Sequence, residues 1–259
     1  MRLSGDGCTA VASLPLAGSG HTVLAQNWDW HPTRSDACVL LRILPDEGPS
    51  MLAFAEAGAL ARCGLNEMGL GVVGNALECQ APTSPEGVPI ALIRRQILGA
   101  STLSDAVDVV ALSPRGTATN HLIASVDEGA VSCETTPDAV YTVSPEDGLL
   151  VHSNHFISPE AEHEVMDTGI ASHPDTLDRA PRIRKILGGK ARAANAAEVE
   201  EALRDHEGYP YSVCRHEPNV SLDTWTTVAS IVMDLDDRRL SLAPGPPCEA
   251  EFRTHFLSI

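Results

Sequence analysis

A chain of 259 residues, 43% hydrophobic and 20% charged, has the material for one large domain or two small ones with a sizeable core. Its formal net charge of −17 argues against a nucleic-acid partner and against an anionic membrane surface, since both call for clustered Lys and Arg. No run approaches the ~18 apolar residues of a membrane span, and MRLSGDG lacks a signal peptide's apolar stretch, so the expected location is the cytoplasm.

The predicted elements begin with two strands, 8–14 (CTAVASL) and 21–27 (HTVLAQN), joined as a hairpin through Ala17-Gly18-Ser19-Gly20. CVLLRIL (38–44) and MLAFAEA (51–57) repeat the pattern, and LGVVGNAL (70–77) follows the turn-rich GLNEMG. After Pro89 the period changes. Ile90, Ile93, Ile97 and Leu98 recur at helical spacing, and Gly99 closes that helix. Thr102-x-x-Asp105 resembles a capping box for a second helix to about Leu112. Strands return at 121–126, 130–135, 139–143 and 149–153, with turns at Asp127-Glu128-Gly129 and Glu146-Asp147-Gly148. Helices follow at 176–187, ending at Gly188-Gly189, and from an Asn195-x-x-Glu198 cap to about Arg204. TTVASIVMDL and RRLSLA close the chain as strands around Asp236-Asp237, and APGPPCE (243–249) reads as a loop. Runs of strands alternating with runs of helices predict an α+β fold, with two antiparallel sheets between helix layers. No internal repeat or linker divides it.

The seven cysteines, at 8, 38, 63, 79, 133, 214 and 248, are odd in number and contain no Cys-x-x-Cys pair. Neither a disulfide framework nor a zinc ribbon is expected, and most of these thiols read as small core residues in a reducing compartment. Cys8 has a second reading. A thiol needs activation at neutral pH, from one of the ten histidines or from its own α-amino group if Cys8 becomes the amino terminus. The latter requires cleavage after Gly7, a residue with no side chain to obstruct attack on its carbonyl. Taken alone, a buried structural cysteine remains the competing reading.

Three further stretches carry candidate chemistry. Gln26-Asn27-Trp28-Asp29-Trp30 ends the second strand beside the first. Asp29 there could orient an amine or a substrate, or simply close the strand, while the two Trp read as wall or core. VHSNHF (151–156) offers Asn154, whose amide suits an oxyanion hole, a donor worth roughly 3 kcal/mol in acyl transfer. His152 and His155 have no third ligand at a usual spacing, so no metal is expected. In YPYSVCRHE (209–217), Arg215 calls for an anionic partner, either a protein carboxylate or a ligand.

Together, Asp6-Gly7-Cys8-Thr9, Gln26-Asn27-Trp28-Asp29, Asn154-His155 and Ser212-x-Cys214-Arg215 resemble the isopenicillin-N acyltransferase (acyl-CoA:6-aminopenicillanate acyltransferase) family of cysteine N-terminal nucleophile (Ntn) hydrolases. Glu56-Ala57-Gly58, Gly64-x-Asn66-x-x-Gly69, Asn75-Ala76-Leu77 and Gly87-Val88-Pro89 extend the resemblance along the chain. It implies a four-layer αββα sandwich and self-cleavage of Gly7–Cys8. Mature Cys8 would then take an acyl group from an amide or thioester, with its α-amine as base. It also implies Asp29 as the aspartate near the nucleophile, Asn154 as oxyanion donor, Arg215 as active-site arginine and Asn75 as a second oxyanion donor. No cofactor is implied; acyl-CoA enters as a candidate co-substrate. Family members carry a substantial segment before the cut bond, which becomes a small separate subunit. Residues 1–7 accordingly read as the remnant of a pro-segment and 8–259 as one catalytic domain. Three readings stay open beside this one: an amide hydrolase of the bile-salt or penicillin V amidase kind, a non-catalytic binding relative, and a conventional Cys–His protease.

Overall fold

The computed structural model describes residues 7–16, 20–81, 83–189, 192–216 and 224–257. Asp6, most of the first expected turn (17–19) and Glu217 lie outside these. The hairpin is present: β1 (Gly7–Ser13) pairs antiparallel with β2 (Val23–Trp30), with Gly7 opposite Asp29 and Cys8 opposite Trp28. With β10 (Leu149–His152), β11 (Thr226–Asp234), β12 (Arg239–Ala243) and β13 (Arg253–Phe256) they form a sheet ordered β10-β1-β2-β11-β12-β13. The second sheet runs in chain order: β3 (Cys38–Ile43), β4 (Met51–Glu56), β5 (Cys63–Asn66), β6 (Leu70–Ala76), β7 (Thr119–Ser125), β8 (Gly129–Thr135) and β9 (Val140–Val143). Every strand pairing in both sheets is antiparallel.

The period of two along β1 explains the layering. Cys8, Ala10 and Ala12 face the second sheet and share a core with Leu24 and Trp28 from their own sheet and Leu52, Phe54, Leu65 and Leu122 from the other. Val11 points the opposite way. It packs with Val23, Ala25, Val151 and Val232 under α5 (Thr176–Leu187) and α6 (Ala196–Leu203). On the far side, Met51, Ala53, Val72 and Ile123 pack under α1 (Ile90–Ile97) and α2 (Leu103–Leu112). The result is the expected αββα order, with both faces of each sheet covered. The helix starts follow their caps: Thr102 Oγ1 accepts from Asp105 N–H, and Asn195 and Glu198 form a reciprocal capping box.

Five elements depart from the sequence reading, among them a 3-10 turn at Pro32–Ala37 between β2 and β3. β5 occupies the start of GLNEMG, read above as turn. All four of its residues are buried, so no alternation marks it. Asn66 ends it and builds the turn with its own side chain, accepting from the N–H groups of Met68 and Leu70 and donating to the carbonyls of Leu98 and Ala100. β13 is an edge strand of four exposed residues with no apolar face to read. The short helices α3 (Pro159–Glu164) and α4 (Gly169–Ser172) lie in the connection after β10.

The two sheets are also cross-linked by polar side chains. Gly74 lies beyond the last β5–β6 pair, Gly64↔Val72, and the Gln26 amide takes both its backbone groups. Gln26 Nε2 donates to Gly74 O at 2.6 Å, and Gly74 N–H donates to Gln26 Oε1 at 3.2 Å. The next residue, Asn75, donates from Nδ2 to the carbonyls of Cys8 (3.2 Å) and His152 (3.3 Å) in the opposite sheet. Asn120 Nδ2 donates to Asn75 Oδ1 at 3.0 Å and keeps that amide in its orientation.

Gln26→Leu keeps the volume but strands two buried backbone groups. It is expected to cost about 3 kcal/mol in urea unfolding with an unchanged m-value. A loss below roughly 0.5 kcal/mol, the scatter of surface substitutions, would show that the cross-link does not hold the sheets together.

Candidate active site

β10 ends at His152, which pairs with Ala10, so the ladder on that side of β1 stops two residues before Cys8. The backbone of Cys8 is held there by side chains. Asn154 Oδ1 accepts from Cys8 N–H at 2.8 Å. The Cys8 carbonyl accepts from Arg179 Nη1 at 2.5 Å and from Asn75 Nδ2 at 3.2 Å. Arg179 also donates to Thr9 Oγ1 (3.0 Å) and to Asn154 Oδ1 (2.8 Å). A single guanidinium thus orders both the nucleophile candidate and the asparagine that touches its nitrogen, using the fixed fork of its donors. Cys8 itself is fully buried.

The first turn of α5 positions this group. Thr176 Oγ1 accepts from Asn154 N–H at 2.7 Å, and Ser153 Oγ donates to Thr176 O at 2.7 Å. Asp175, at the N-cap, lies 3.1 Å from Arg179 Nε and 3.0 Å from Arg215 Nη1 through the same carboxylate oxygen. Arg215 therefore does find a protein carboxylate. Its guanidinium also lies over the rings of Tyr211 (4.9 Å) and Trp225 (5.6 Å). The loop after β10 is fastened from the other side. His152 Nε2 lies 2.7 Å from Glu134 Oε1, and Glu134 accepts from the N–H groups of Ile157 and Ser158.

Asp29 is fully buried. Its Oδ1 accepts from Thr227 Oγ1 at 2.7 Å, while Oδ2 has no hydrogen-bond partner among the described residues. Burial pushes this carboxyl above the usual range, and the Arg179 and Arg215 guanidiniums pull against that shift. Gly7 packs directly on it: a Cβ at position 7 would lie 3.1 Å from both Asp29 Cβ and Oδ2. A side chain at position 7 would crowd the aspartate, which would have to give by a few tenths of an ångström.

A small cavity of about 10 Å³ borders Gly7, Asn154, Arg179, Arg215, His173 and Trp225. Arg215 Nε, His173 Nε2 and Trp225 Nε1 are buried there without a partner among the described residues. Burial lowers the pKa of His173, which keeps its imidazole neutral. Ala76 and Glu78 separate this cavity from a cleft of about 990 Å³. Trp30, Leu77, Ile90 and Ala118 give the cleft apolar wall, and Arg62 and Arg94 add charge. Its volume is at the upper end of small-molecule sites.

The structure therefore brings Cys8, Asp29, Asn154, Arg215 and Asn75 to one place. Two details differ from the roles that the resemblance implies. Asn154 Nδ2 donates to Ala76 O at 3.0 Å, and Asn75 Nδ2 is committed to the backbone carbonyls of Cys8 and His152. In this state both amides hold backbone. Sequence reading passed over Arg179, Asp175, Thr176 and Thr227. The one available signal was the Asp175/Arg179 spacing of four at the start of an expected helix.

Two antiparallel sheets sandwiched by helices, with a cysteine opening the first strand, define the class as an Ntn-hydrolase fold. Solved structures share it. The Caenorhabditis elegans ortholog of N-acylethanolamine-hydrolyzing acid amidase superposes with a TM-score of 0.66 at 14% identity, over 97% of this chain and 100% of that one. A mutant of the conjugated bile acid hydrolase from Clostridium perfringens gives 0.62 at 12%, over 97% and 98%. Penicillin V acylase from Agrobacterium tumefaciens gives 0.56 at 12%, over 92% and 83%. The family model described as acyl-coenzyme A:6-aminopenicillanic acid acyl-transferase matches residues 16–248, and the chain belongs to that family. Among curated proteins, the 40 kDa form of acyl-coenzyme A:6-aminopenicillanic-acid-acyltransferase from Emericella nidulans is 26% identical over 243 residues. The match covers 93% of this chain, which spans 65% of that relative's length.

His155, beside Asn154, offers a test of how tightly this loop is packed. Its Nδ1 lies 2.9 Å from Thr176 Oγ1, and burial, reinforced by His152, pushes its pKa from 6.5 down to about 4. The unfolded chain takes up a proton below pH 6.5 that the folded site refuses until about pH 4. The stability this residue contributes is complete above pH 6.5 and is lost as the pH falls toward 4. His155→Gln should flatten the dependence of unfolding free energy on pH across that window. An unaltered slope would show that the imidazole is freely protonated in the folded loop.

Proposed function

We propose that the chain is an autoproteolytic amidohydrolase/acyltransferase with Cys8 as nucleophile. The Cys8 thiol attacks the Gly7 carbonyl, the C–N bond breaks, and the nitrogen takes the thiol proton to become the α-amine of Cys8. Water then hydrolyses the thioester, leaving Gly7 as a carboxylate. In the mature protein the thiol attacks the carbonyl of an amide or thioester. The α-amine carries the proton to the leaving group, and an amine or water collects the acyl group.

The observation that carries this reading is the grip on the Gly7–Cys8 bond: Asn154 Oδ1 lies 2.8 Å from its nitrogen, and Gly7 is seated against Asp29. The unpartnered Asp29 Oδ2 beside Gly7 is suited to accept from the α-amine that cleavage would create. Release of the Gly7 carbonyl would let Asn154 Nδ2 turn from Ala76 O toward a developing oxyanion, with Asn75 as a second donor. Arg215, with an unpartnered Nε on the small cavity, would hold a polar or anionic part of the substrate. Residues 8–259 form the catalytic domain in this reading, and 1–7 belong to a pro-segment whose upstream part would be a separate small subunit.

The activities for which the relatives are named support the substrate class, a small-molecule amide or acyl thioester. The 990 Å³ cleft has room for its acyl group. Acyl-CoA is the proposed co-substrate, and no metal or cofactor takes part in the acyl chemistry. Arg62 and Arg94 stand on the cleft beside Glu56 and Glu78, and Arg62 is paired with Glu56 at 3.2 Å. Among the described residues no helix is long and apolar enough to cross a membrane. None of the seven cysteines is in a disulfide, and we place the protein in the cytoplasm. A second reading, a linear-amide hydrolase like the bile acid hydrolase and penicillin V acylase neighbours, differs only in the acceptor. Competition between added amines and water for the acyl-enzyme separates the two.

Intact mass and amino-terminal sequencing of the expressed protein test the proposal. The wild type is expected to begin at Cys8, and Cys8→Ala to remain uncleaved. Turnover of penicillin V, a glycine-conjugated bile acid, or acyl-CoA with 6-aminopenicillanic acid should fall by roughly 10³-fold or more in the variant. An uncleaved wild type whose Cys8 resists thiol reagents, with Cys8→Ala unchanged, would leave only a non-catalytic relative.

A further inference from the structure

Beside the active site, two loops bring four soft ligands together. His206 follows α6, Cys214 and His216 flank Arg215, and Cys248 lies in the Pro/Gly-rich loop after β12. One ligand atom from each residue lies within 4.8 Å of all the others. The Nε2 atoms of His206 and His216 are 3.1 Å apart. His216 Nε2 is 3.4 Å from Cys214 Sγ and 3.2 Å from Cys248 Sγ, and the two sulfurs are 3.6 Å apart.

Hydrogen bonding does not account for this arrangement. One imidazole nitrogen offers either a single N–H or a single lone pair, yet His216 Nε2 faces three heteroatoms. A central cation satisfies all four atoms at once. With Zn–S of about 2.3 Å and Zn–N of about 2.0–2.1 Å, a tetrahedron has edges of about 3.3 Å (N to N), 3.6 Å (N to S) and 3.8 Å (S to S). The four separations given above fall within a few tenths of an ångström of these, and the ligand atom of His206 lies within 4.8 Å of both sulfurs. The other ring nitrogen of His216 lies 3.6 Å from Glu249 Oε1, the kind of carboxylate that orients a metal-bound imidazole.

We propose that His206, Cys214, His216 and Cys248 bind one Zn²⁺. Two thiolates and two imidazoles select zinc among the common divalent ions, and four protein ligands close its coordination. The site is structural: each metal bound releases two thiol protons and ties the segment 206–216 to the loop at 248. Arg215 sits between two ligands in sequence, so the metal fixes its backbone on both sides, and its side chain reaches Asp175 from there. This departs from the expectation of no metal. The ligands stand at 206, 214, 216 and 248 and form no Cys-x-x-Cys unit, so only the fold collects them.

The experiment is metal analysis of the full chain, purified under reducing conditions without chelator and incubated with Zn²⁺. About one zinc per chain is expected. Cobalt-substituted protein should show the visible bands of a tetrahedral, thiolate-ligated ion. Cys248→Ser and His206→Ala, both on the solvent side of the cluster, should each lose the metal and the bands, with circular dichroism confirming that they fold. Cys79→Ser should keep full loading. Cys8→Ala should also keep it, so the result is independent of the acyl chemistry. The proposal is overturned by a wild type with free thiols that takes up no zinc, or by loading unaffected in the ligand variants. Recovery of a Cys214–Cys248 disulfide from thiol-blocked cells would overturn it equally.

Discussion

The backbone of Cys8 has lost its strand neighbour on one side, and much of the site follows from that. β10 stops at His152, opposite Ala10, so the amide and carbonyl of Cys8 face side chains instead of a ladder. Buried backbone groups must be paired, and here Asn154, Arg179 and Asn75 do it. A peptide bond held by side chains, at the end of a strand and against a buried carboxylate, is more accessible to chemistry than one inside a sheet.

Each of the three has its own anchor, and together the anchors draw in both sheets and the helix layer of α5. Asn154 is set by Thr176 at the start of α5 and by the loop that Glu134 clamps from the second sheet. Arg179 is on α5 itself and shares Asp175 with Arg215. Asn75 reaches across from the second sheet beside Gly74, which Gln26 ties back to the first. Two arginines and two aspartates thus stand close together with their formal charges in balance. Burial raises the pKa of Asp29, and the guanidiniums oppose the rise.

Much of this was legible in the residues. The strand and helix order predicted the α+β sandwich because runs of apolar residues and their caps are local signals. The motif set placed Cys8, Asp29, Asn154 and Arg215 in one site. β5 was not legible, since four wholly buried residues ending in a turn-forming Asn66 show neither alternation nor an apolar face. Arg179 was hidden for a related reason: an arginine in a helix of mixed charge ordinarily reads as a solvated face. His216 and Cys248 had no pattern at all, being brought together by two loops far apart in the chain.

Composition, periodicity and short motifs determined by themselves the layer order, the family and the identity of the nucleophile candidate with its nearest partners. These properties depend on local patterning and on residue type, both of which are written along the chain. Only the tertiary structure decided what holds Cys8 in place, what Gly7 packs against, and which thiols and imidazoles share a corner beside Arg215. Those depend on where β10 ends, on the space Asp29 occupies, and on how two distant loops meet. Such distances are set by packing between layers, to which sequence spacing is blind.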